Sequence, residues 1–349
     1  MNDSKSIIRF LLRTVIASIP LILLAAAYII LDPFKVVKTW YPYFDDTSWE
    51  NRLGWNKNWV SVTAYEQGLE ANRYDSFIFG SSISIAYRIE DWKKHLPDDA
   101  VPFHFDASDE TVYGILKKIQ YLDNRNDTIR HALIIFEPRT FRTRHQDDFL
   151  HYMPPQISGW HNYFPFHYSY FKDFLKLDFL KSYIPFLITG NPANYSKEDI
   201  FARQAFTYNK DTNEEQMDMM EAIIASNPDS FYTREYMTRI TGMKPHYCEP
   251  LINDSIASCL KEIAVILNRH HCNYHIIFGP NRLKEIMPPA DYTILNRTFS
   301  PERVYRYTSL DTVSDDRRFY YDNGHYRVAV CDEILDSVYN RPSSNRSTP

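Results

Sequence analysis

The sequence predicts an α/β protein, a three-layer sandwich in which helices cover both faces of a parallel sheet, behind one N-terminal transmembrane helix. Short apolar runs bounded by turn residues alternate with segments of helical periodicity, which is typical of a buried parallel sheet. An uncharged apolar stretch lies near the N-terminus. The 349 residues are 44 % hydrophobic and carry a net charge of -5. This composition excludes a disordered chain and gives no sign of a basic protein that binds nucleic acid.

The first element is the apolar stretch, which begins at Thr14 and ends at Leu31. At about 1.5 Å per residue, such a helix covers roughly the hydrocarbon thickness of a bilayer. Asp32 follows it directly, and three basic residues precede it, Lys5, Arg9 and Arg13. This charge bias places residues 1–13 in the cytoplasm and the rest of the chain outside. We therefore expect a single-pass protein of the cell inner membrane with a periplasmic or other extracytoplasmic domain.

A cleaved signal peptide is the alternative, because Ala25, Ala26 and Ala27 resemble a cleavage site. The apolar run continues past these alanines, where a processed chain normally turns polar. This continuation favours a retained transmembrane helix over residues 14–31.

After the membrane segment, we expect a Trp- and Tyr-rich lead-in over residues 32–70, an α/β domain over 71–340 and a disordered tail over 341–349. Four apolar runs that end at turn residues are predicted strands: Phe77–Phe79, Val101–Phe105, Ala132–Phe136 and His275–Phe278. Four segments with helical spacing are predicted helices: 86–96, 109–122, 256–267 and 327–339. In sheets of this class the chemistry lies at the carboxyl ends of the strands.

An insertion over residues 140–247 interrupts these units and carries many aromatic rings between Phe149 and Phe186. Rings with a polar tip suit a surface that contacts a sugar polymer or a membrane. The alternative is that the same rings form the private core of a subdomain.

The four cysteines form no C-x-x-C pair, so a zinc site is a poor interpretation, and no cofactor or metal is expected. In an extracytoplasmic domain, one or two disulfides and buried free thiols are both open alternatives.

One glycine begins a Gly-x-Ser motif, Gly80-Ser81-Ser82, between a predicted strand and a predicted helix. A serine at such a turn holds its hydroxyl at the carboxyl edge of the sheet, and its backbone N–H can stabilise an anion there. The alternative without catalysis is a serine that caps the N-terminus of the helix.

A serine becomes a nucleophile when an imidazole takes its proton and an acid orients that imidazole. The chain has two Asp-x-x-His motifs, Asp148 to His151 in the insertion and Asp322 to His325 before the last helix. Only the second follows the last strands of the sheet, and Gly324 permits a tight bend there. We therefore predict that Ser82 is the nucleophile, His325 the general base and acid, and Asp322 the residue that orients His325.

The pairing of Gly80-Ser81-Ser82 with Asp322-x-x-His325 resembles the SGNH/GDSL-type hydrolase superfamily, whose first block is Gly-Asp-Ser and whose last is Asp-x-x-His. The Gly-Ser-Ser form, the single N-terminal anchor and the segment Phe136–Phe141 look more like its membrane-anchored branch. That branch includes the D-alanyl-lipoteichoic acid biosynthesis protein and acyltransfer proteins for envelope polysaccharides. The resemblance covers about residues 70–145 and 250–340, and it implies an SGNH-like fold.

The chain departs from the family pattern in two blocks. The glycine of the second block falls near Ser108, so a backbone N–H of Ser108 or Asp109 is the expected oxyanion donor. The Gly-x-Asn-Asp of the third block is absent. Arg139 is a candidate for the missing donor, and a surface salt-bridge residue is the alternative.

What the resemblance implies is an extracytoplasmic acyltransferase that forms an acyl-serine and passes the acyl group, expected to be acetyl, to a cell-envelope polysaccharide. The expected partners are the membrane, an envelope glycan acceptor and a multi-pass membrane O-acyltransferase, with no nucleic acid. An exported esterase or deacetylase and a catalytically inactive assembly protein are the alternatives.

Overall fold

The computed structural model describes residues 2–38, 56–142, 150–189, 207–233, 244–308 and 311–340. The nine strands within these ranges are β1 (Ser76–Gly80), β2 (Pro102–His104), β3 (His131–Phe136), β4 (Thr207–Asn209), β5 (Glu214–Gln216), β6 (His246–Tyr247), β7 (Asn273–Phe278), β8 (Glu285–Ile286) and β9 (Val304–Arg306). Five of them form one parallel sheet in the order β2-β1-β3-β7-β9. The chain is therefore an α/β protein with a five-stranded parallel sheet.

The helices of the same ranges are α1 (Asn2–Leu31), α2 (Lys57–Gly68), α3 (Ile89–Lys93), α4 (Val112–Asn124), α5 (Pro155–Ser158), α6 (Tyr163–Phe174), α7 (Leu177–Thr189), α8 (Asp218–Ser226), α9 (Pro228–Tyr232), α10 (Asp254–Arg269), α11 (Pro289–Phe299), α12 (Asp311–Asp315) and α13 (Val328–Tyr339). Successive side chains of β1 point to opposite faces of the sheet. Phe77 and Phe79 pack in one apolar cluster with α4 and α10, whereas Ile78 packs in a second cluster with α13. Both faces of the sheet are thus buried.

All four predicted strands are present, and the fifth strand, β9, was not predicted. It has three residues and ends at an exposed arginine, so it lacks the apolar run that marked the other four. It is a strand because it hydrogen-bonds to β7, a long-range contact that local sequence does not reveal.

The predicted helix over residues 86–96 is much shorter in the structure. A 3₁₀ segment, Ser82–Ala86, comes first and α3 covers only five residues. The Ser84 hydroxyl donates to the carbonyl of Ser81 at 2.7 Å, and serines that bond locally to the backbone in this way compete with helix formation. The chain after β1 is therefore a tight turn rather than a regular helix.

The segment predicted as a lead-in contributes α2 to the same core. Tyr65 of α2 is fully buried and stacks on Phe105 with ring centroids 5.5 Å apart. Lys57, also buried, forms ion pairs with Glu215 at 3.2 Å and Asp106 at 3.6 Å. These pairs link α2 to the segment after β2 and to β5, and removal of one partner from a buried pair of this kind typically costs about 3–5 kcal/mol.

A third apolar cluster joins α1 to the aromatic insertion. Tyr28 near the end of α1 contacts Phe171 and Phe174 of α6 with centroids 5.6 and 5.7 Å apart. Both interpretations of the aromatic insertion, a private core and a contact surface, apply to part of its described rings. Phe166 and Tyr170 are buried, whereas Trp160 and Phe164 are exposed. Residues Ser6–Leu31 of α1 are long and apolar enough to cross a membrane.

All four cysteines are unpaired thiols, so the alternative with disulfides is not realised. The predicted disordered tail over residues 341–349 lies outside the described residues.

Candidate active site

The Gly80-Ser81-Ser82 motif forms the turn that leaves the carboxyl end of β1. A Cβ on Gly80 would lie 2.8 Å from the Cβ of Ser84 and 3.1 Å from the Cβ of Ile135, so only glycine fits between this turn and β3. The N–H of Ser84 and its hydroxyl both donate to the carbonyl of Ser81, at 2.8 and 2.7 Å. These contacts hold Ser82 half-buried at the edge of the sheet.

Asp322 and His325 lie on one tight loop directly before α13. Oδ1 of Asp322 accepts hydrogen bonds from the backbone N–H groups of Gly324 at 2.7 Å and His325 at 2.8 Å. This Asx turn is closed by the Tyr321 N–H, which donates to the carbonyl of His325 at 2.8 Å. The backbone of Gly324 is not left-handed, and a Cβ at this position would make only an ordinary van der Waals contact with Asp322. The bend therefore depends on the hydrogen bonds of Asp322 and does not require glycine.

Ser82, His325 and Asp322 form a continuous chain of hydrogen bonds, although Ser82 and His325 are separated by 243 positions. Nδ1 of His325 lies 2.8 Å from Oδ2 of Asp322. Nε2 of the same ring lies 2.8 Å from Oγ of Ser82. With Asp322 ionised, Nδ1 carries the proton and Nε2 accepts the proton of the Ser82 hydroxyl, which is the arrangement of a serine nucleophile with its base.

The environment shifts the pKa values of both charged partners. Burial alone lowers the pKa of His325, but the hydrogen bond and charge of Asp322, helped by the charge of Glu137, outweigh it and raise that pKa above its ordinary value. For Asp322, burial raises the pKa, but the hydrogen bond and charge of His325 lower it by more. The pKa of Asp322 is therefore below its ordinary value. The carboxylate therefore stays ionised where it orients the ring.

Glu137 is a site residue that sequence reasoning missed. It follows β3, the neighbour of β1, and its Oε1 accepts the hydroxyl of Ser81 at 2.6 Å. Burial raises the pKa of Glu137, while Ser81, Arg139 and His325 oppose that shift. The available signal was the position of Glu137 at the carboxyl end of a predicted strand. Its contact with Ser81, directly after β1, results from the pairing of β1 with β3.

The segment after β2 that contains Ser108 and Asp109 lies beside the serine turn. The N–H of Ala107 donates to the carbonyl of Gly80 at 3.2 Å. Asp109 has a φ of 50°, a left-handed conformation that is commonly occupied by glycine. The side chains of Ser108 and Asp109 are exposed. The negative charge of Asp109 contributes to the raised pKa of Glu137, so Asp109 lies near the site.

Arg139 lies exposed at the rim of a cleft that opens beside His325. The cleft has a volume of about 380 Å³, and its polar lining includes Glu137, Asn281 and Asn323. The charge of Arg139 lowers the pKa of both Glu137 and His325, so its guanidinium acts on the site. Next to Ser82, a recess of about 10 Å³ is lined by Ser82 and His325 and by apolar side chains that include Ile85, Met217 and Val328.

The histidine of the other Asp-x-x-His motif, in the insertion, is not at this site. His151 lines a separate cleft with Thr111 and Cys259, and Asp148 lies outside the described residues. Comparison with models of known protein families and with curated proteins gives no match for this chain. The candidate site therefore stands on its own geometry and on the two motifs that form it.

Proposed function

We propose that the protein is an extracytoplasmic serine acyltransferase of the SGNH type, which transfers a small acyl group through an acyl-serine to a hydroxyl of a cell-envelope polysaccharide. The observation that carries the proposal is the pair of 2.8 Å contacts that link Ser82, His325 and Asp322. The five-stranded parallel sheet with both faces buried is consistent with the three-layer SGNH fold.

The reaction has two halves that use the same imidazole. In the first, Oγ of Ser82 attacks the carbonyl carbon of the donor ester while Nε2 of His325 takes the hydroxyl proton. The tetrahedral intermediate collapses, His325 returns the proton to the leaving alcohol and Ser82 carries the acyl ester. In the second, a sugar hydroxyl gives its proton to His325 and attacks the acyl carbonyl, and Ser82 regains its proton when the new ester leaves.

The negative charge on the intermediate oxygen needs donors near Ser82. The backbone N–H of Ser82 is one candidate, since it belongs to the turn itself. The segment of Ser108 and Asp109, held beside this turn by the bond from Ala107 to Gly80, is the second. Arg139 at the cleft rim is the third. A single donor of this kind is worth roughly 10²–10³ in kcat.

The dimensions of the two openings favour a small acyl group and a polar acceptor. The recess beside Ser82 is lined mostly by apolar side chains and is about as large as one water molecule, which suits the methyl of an acetyl group. The larger cleft, with Asn281 and Asn323 in its lining, offers amide groups that hydrogen-bond to sugar hydroxyls.

The N-terminal helix provides the location of the proposed reaction. With residues 1–13 in the cytoplasm, the domain lies on the outer side of the cell inner membrane. A single helix cannot carry an acyl donor across the bilayer, so a multi-pass membrane O-acyltransferase is the expected partner that delivers it.

The test is to detect the acyl-serine directly. The purified full-length protein is incubated with a chromogenic acetyl ester and an oligosaccharide acceptor, and the peptide that contains Ser82 is examined by mass spectrometry. We expect acetyl on Ser82 and acetyl ester on the acceptor. Ser82→Ala should abolish both, and His325→Ala should reduce the rate by roughly 10⁶-fold.

His151→Ala is the matched control, because it removes the histidine of the other Asp-x-x-His motif and should keep the full rate. Free acetate without acceptor ester would favour the esterase. Absence of acetyl on Ser82 in the wild type, or normal activity of Ser82→Ala, would contradict the proposal.

A further inference from the structure

The insertion exposes a group of large apolar side chains, which we call the aromatic surface. It consists of the exposed rings of Trp160, Tyr163, Phe164 and Tyr168 together with the exposed aliphatic side chains of α7, Leu177, Ile184, Leu187 and Ile188. Phe164 and Ile188 are 76 % and 78 % exposed. Large apolar side chains exposed together on two successive helices mark contact with a partner or a membrane.

The aromatic surface is continuous with the N-terminal helix. Phe164, Tyr168 and Phe171 are spaced by four and three residues, so they lie on one face of α6. The rings of Phe164 and Tyr168 stack with centroids 6.1 Å apart, and Phe171 contacts Tyr28 of α1 at 5.6 Å. A row of rings therefore runs from the exposed part of α6 directly onto α1.

The contact on α1 lies close to the end of the apolar segment. Tyr28 precedes the last residue of α1, Leu31, by three positions, or about 4.5 Å along the axis. The chain then turns at Asp32, whose carboxylate accepts the N–H groups of Val36 at 2.9 Å and Val37 at 3.0 Å. A helix that spans a bilayer places such a polar turn at the headgroups, so the rings of α6 that contact Tyr28 would lie at the depth where Trp and Tyr are enriched.

From this continuity we propose that the aromatic surface is embedded in the outer headgroup layer of the membrane that α1 crosses, as a second membrane contact beside the helix. This inference rests on the membrane anchor of the proposed function and is independent of the chemistry at Ser82. The occupant is lipid rather than glycan, because the α7 side chains Leu187 and Ile188 have no polar tip for a sugar. Interfacial helices that lie in the membrane plane bury an apolar face of this type.

The embedded surface would fix how the catalytic domain stands on the membrane. Trp59 of α2 contacts Phe166 of α6 with centroids 5.5 Å apart, and its Nε1 donates to the carbonyl of Lys35 at 3.1 Å. The Trp59 side chain thus links α2 to both α6 and the turn after α1. A domain held by both α1 and α6 cannot rotate freely about a single anchor.

The experiment measures lipid contact at single labelled positions in the full-length protein. Cys248→Ser and Cys259→Ser remove the two half-buried thiols, and Cys272 and Cys331 are buried. An environment-sensitive fluorophore is placed at Phe164→Cys in the aromatic surface, and the protein is reconstituted in phosphatidylcholine and phosphatidylglycerol vesicles. We expect that a lipid with a nitroxide near its headgroup quenches the fluorophore. Aqueous iodide should not quench it, because the label is shielded from water.

Two matched positions control the measurement. Leu23→Cys lies on the exposed side of α1 and should be quenched by a lipid nitroxide in the acyl region. Ile223→Cys on α8 replaces an apolar residue that is 37 % exposed and precedes Ile224 of the cluster that contains α13, and it should respond to iodide only.

Each outcome decides the proposal. Lipid quenching at position 164 supports it. Iodide quenching at 164 with lipid quenching at position 23 overturns it and keeps the anchor. Quenching by neither agent at 164 indicates a protein contact, such as a second copy of the chain, and also overturns it. Lipid quenching at neither position refutes the anchor itself, and the inference fails with it.

Discussion

The protonation state of His325 is controlled by its immediate neighbours. Burial lowers the pKa of the imidazole, Asp322 and Glu137 raise it by more, and Arg139 on the cleft rim lowers it slightly. Only the neutral ring accepts the proton of Ser82. In the proposed reaction, the rate should therefore rise with pH through a pKa that lies above the ordinary value of 6.5.

The first prediction at this scale concerns Asp322→Asn. Loss of the carboxylate removes the main cause that raises the pKa of His325, so the acid limb of the pH–rate profile should move to lower pH. The maximal rate should also fall, by roughly 10⁴-fold, because the ring loses its orienting partner. The measurement is the rate of Ser82 acylation by the chromogenic ester across the neutral range.

Arg139→Gln is the opposing control for this prediction. Removal of its positive charge should move the same limb to higher pH, and the shift should shrink at high salt because the guanidinium is exposed. Shifts of equal sign in the two variants would show that the limb does not report His325.

At the scale of elements, the turn between β1 and α3 determines where the serine lies. Ser82 begins a 3₁₀ segment, and the hydrogen bonds of Ser84 to Ser81 keep the turn closed. Glu137 fastens the same turn from the adjacent strand by accepting the Ser81 hydroxyl. Two neighbouring strand ends thus define one position for Ser82.

The prediction at this scale is that Gly80→Ala destabilises the protein. The new Cβ would lie 2.8 Å from the Cβ of Ser84 and 3.1 Å from that of Ile135, so the turn or β3 must shift. Overpacking of this kind costs about 1–3 kcal/mol of unfolding free energy. Thermal unfolding in detergent measures the loss, and the acylation rate reports the displaced serine.

Gly324→Ala is the matched control for the turn. A Cβ at Gly324 would meet Oδ1 of Asp322 at 3.6 Å, an ordinary contact. The unfolding temperature of Gly324→Ala should therefore match that of the wild type. Equal losses in the two variants would mean that the close approach at Gly80 is not the cause.

At the scale of the whole molecule, the parallel sheet brings distant segments to one edge. The serine turn follows β1, Glu137 follows β3, and the cleft wall at Asn281 follows β7. Because the carboxyl ends of parallel strands share an edge, these segments converge on one place. The insertion and α1 form a separate cluster, which connects this domain to the proposed membrane anchor.

The prediction for the whole chain is its orientation. Alkaline phosphatase, which is active only outside the cytoplasm, is fused after Tyr339 at the end of α13. The positive charges before the apolar stretch predict an active fusion. A fusion after Arg13, which lacks the apolar stretch, should stay inactive. An inactive fusion after Tyr339 with normal protein level would place the site on the cytoplasmic side and exclude an envelope glycan as acceptor.

Much of this molecule could be predicted from local sequence, because each such feature depends on residues a few positions apart. Apolar runs marked four of the five strands of the parallel sheet, and helical spacing marked α4, α10 and α13. The bond between Asp322 and His325 spans three positions and forms within one turn, so its motif is visible in the chain. The length and apolarity of the N-terminal helix are likewise local properties.

The tertiary structure alone decided the contacts between segments that are far apart in the chain. The 2.8 Å contact of Ser82 with His325 and the bond of Ser81 to Glu137 depend on strand order, to which no local pattern refers. Strand β9 exists only through its pairing with β7. Aromatic residues alone did not reveal that Phe166 is buried while Phe164, two residues earlier, is exposed. Which ring is buried depends on the helices that pack against it, and that arrangement is a property of the whole fold.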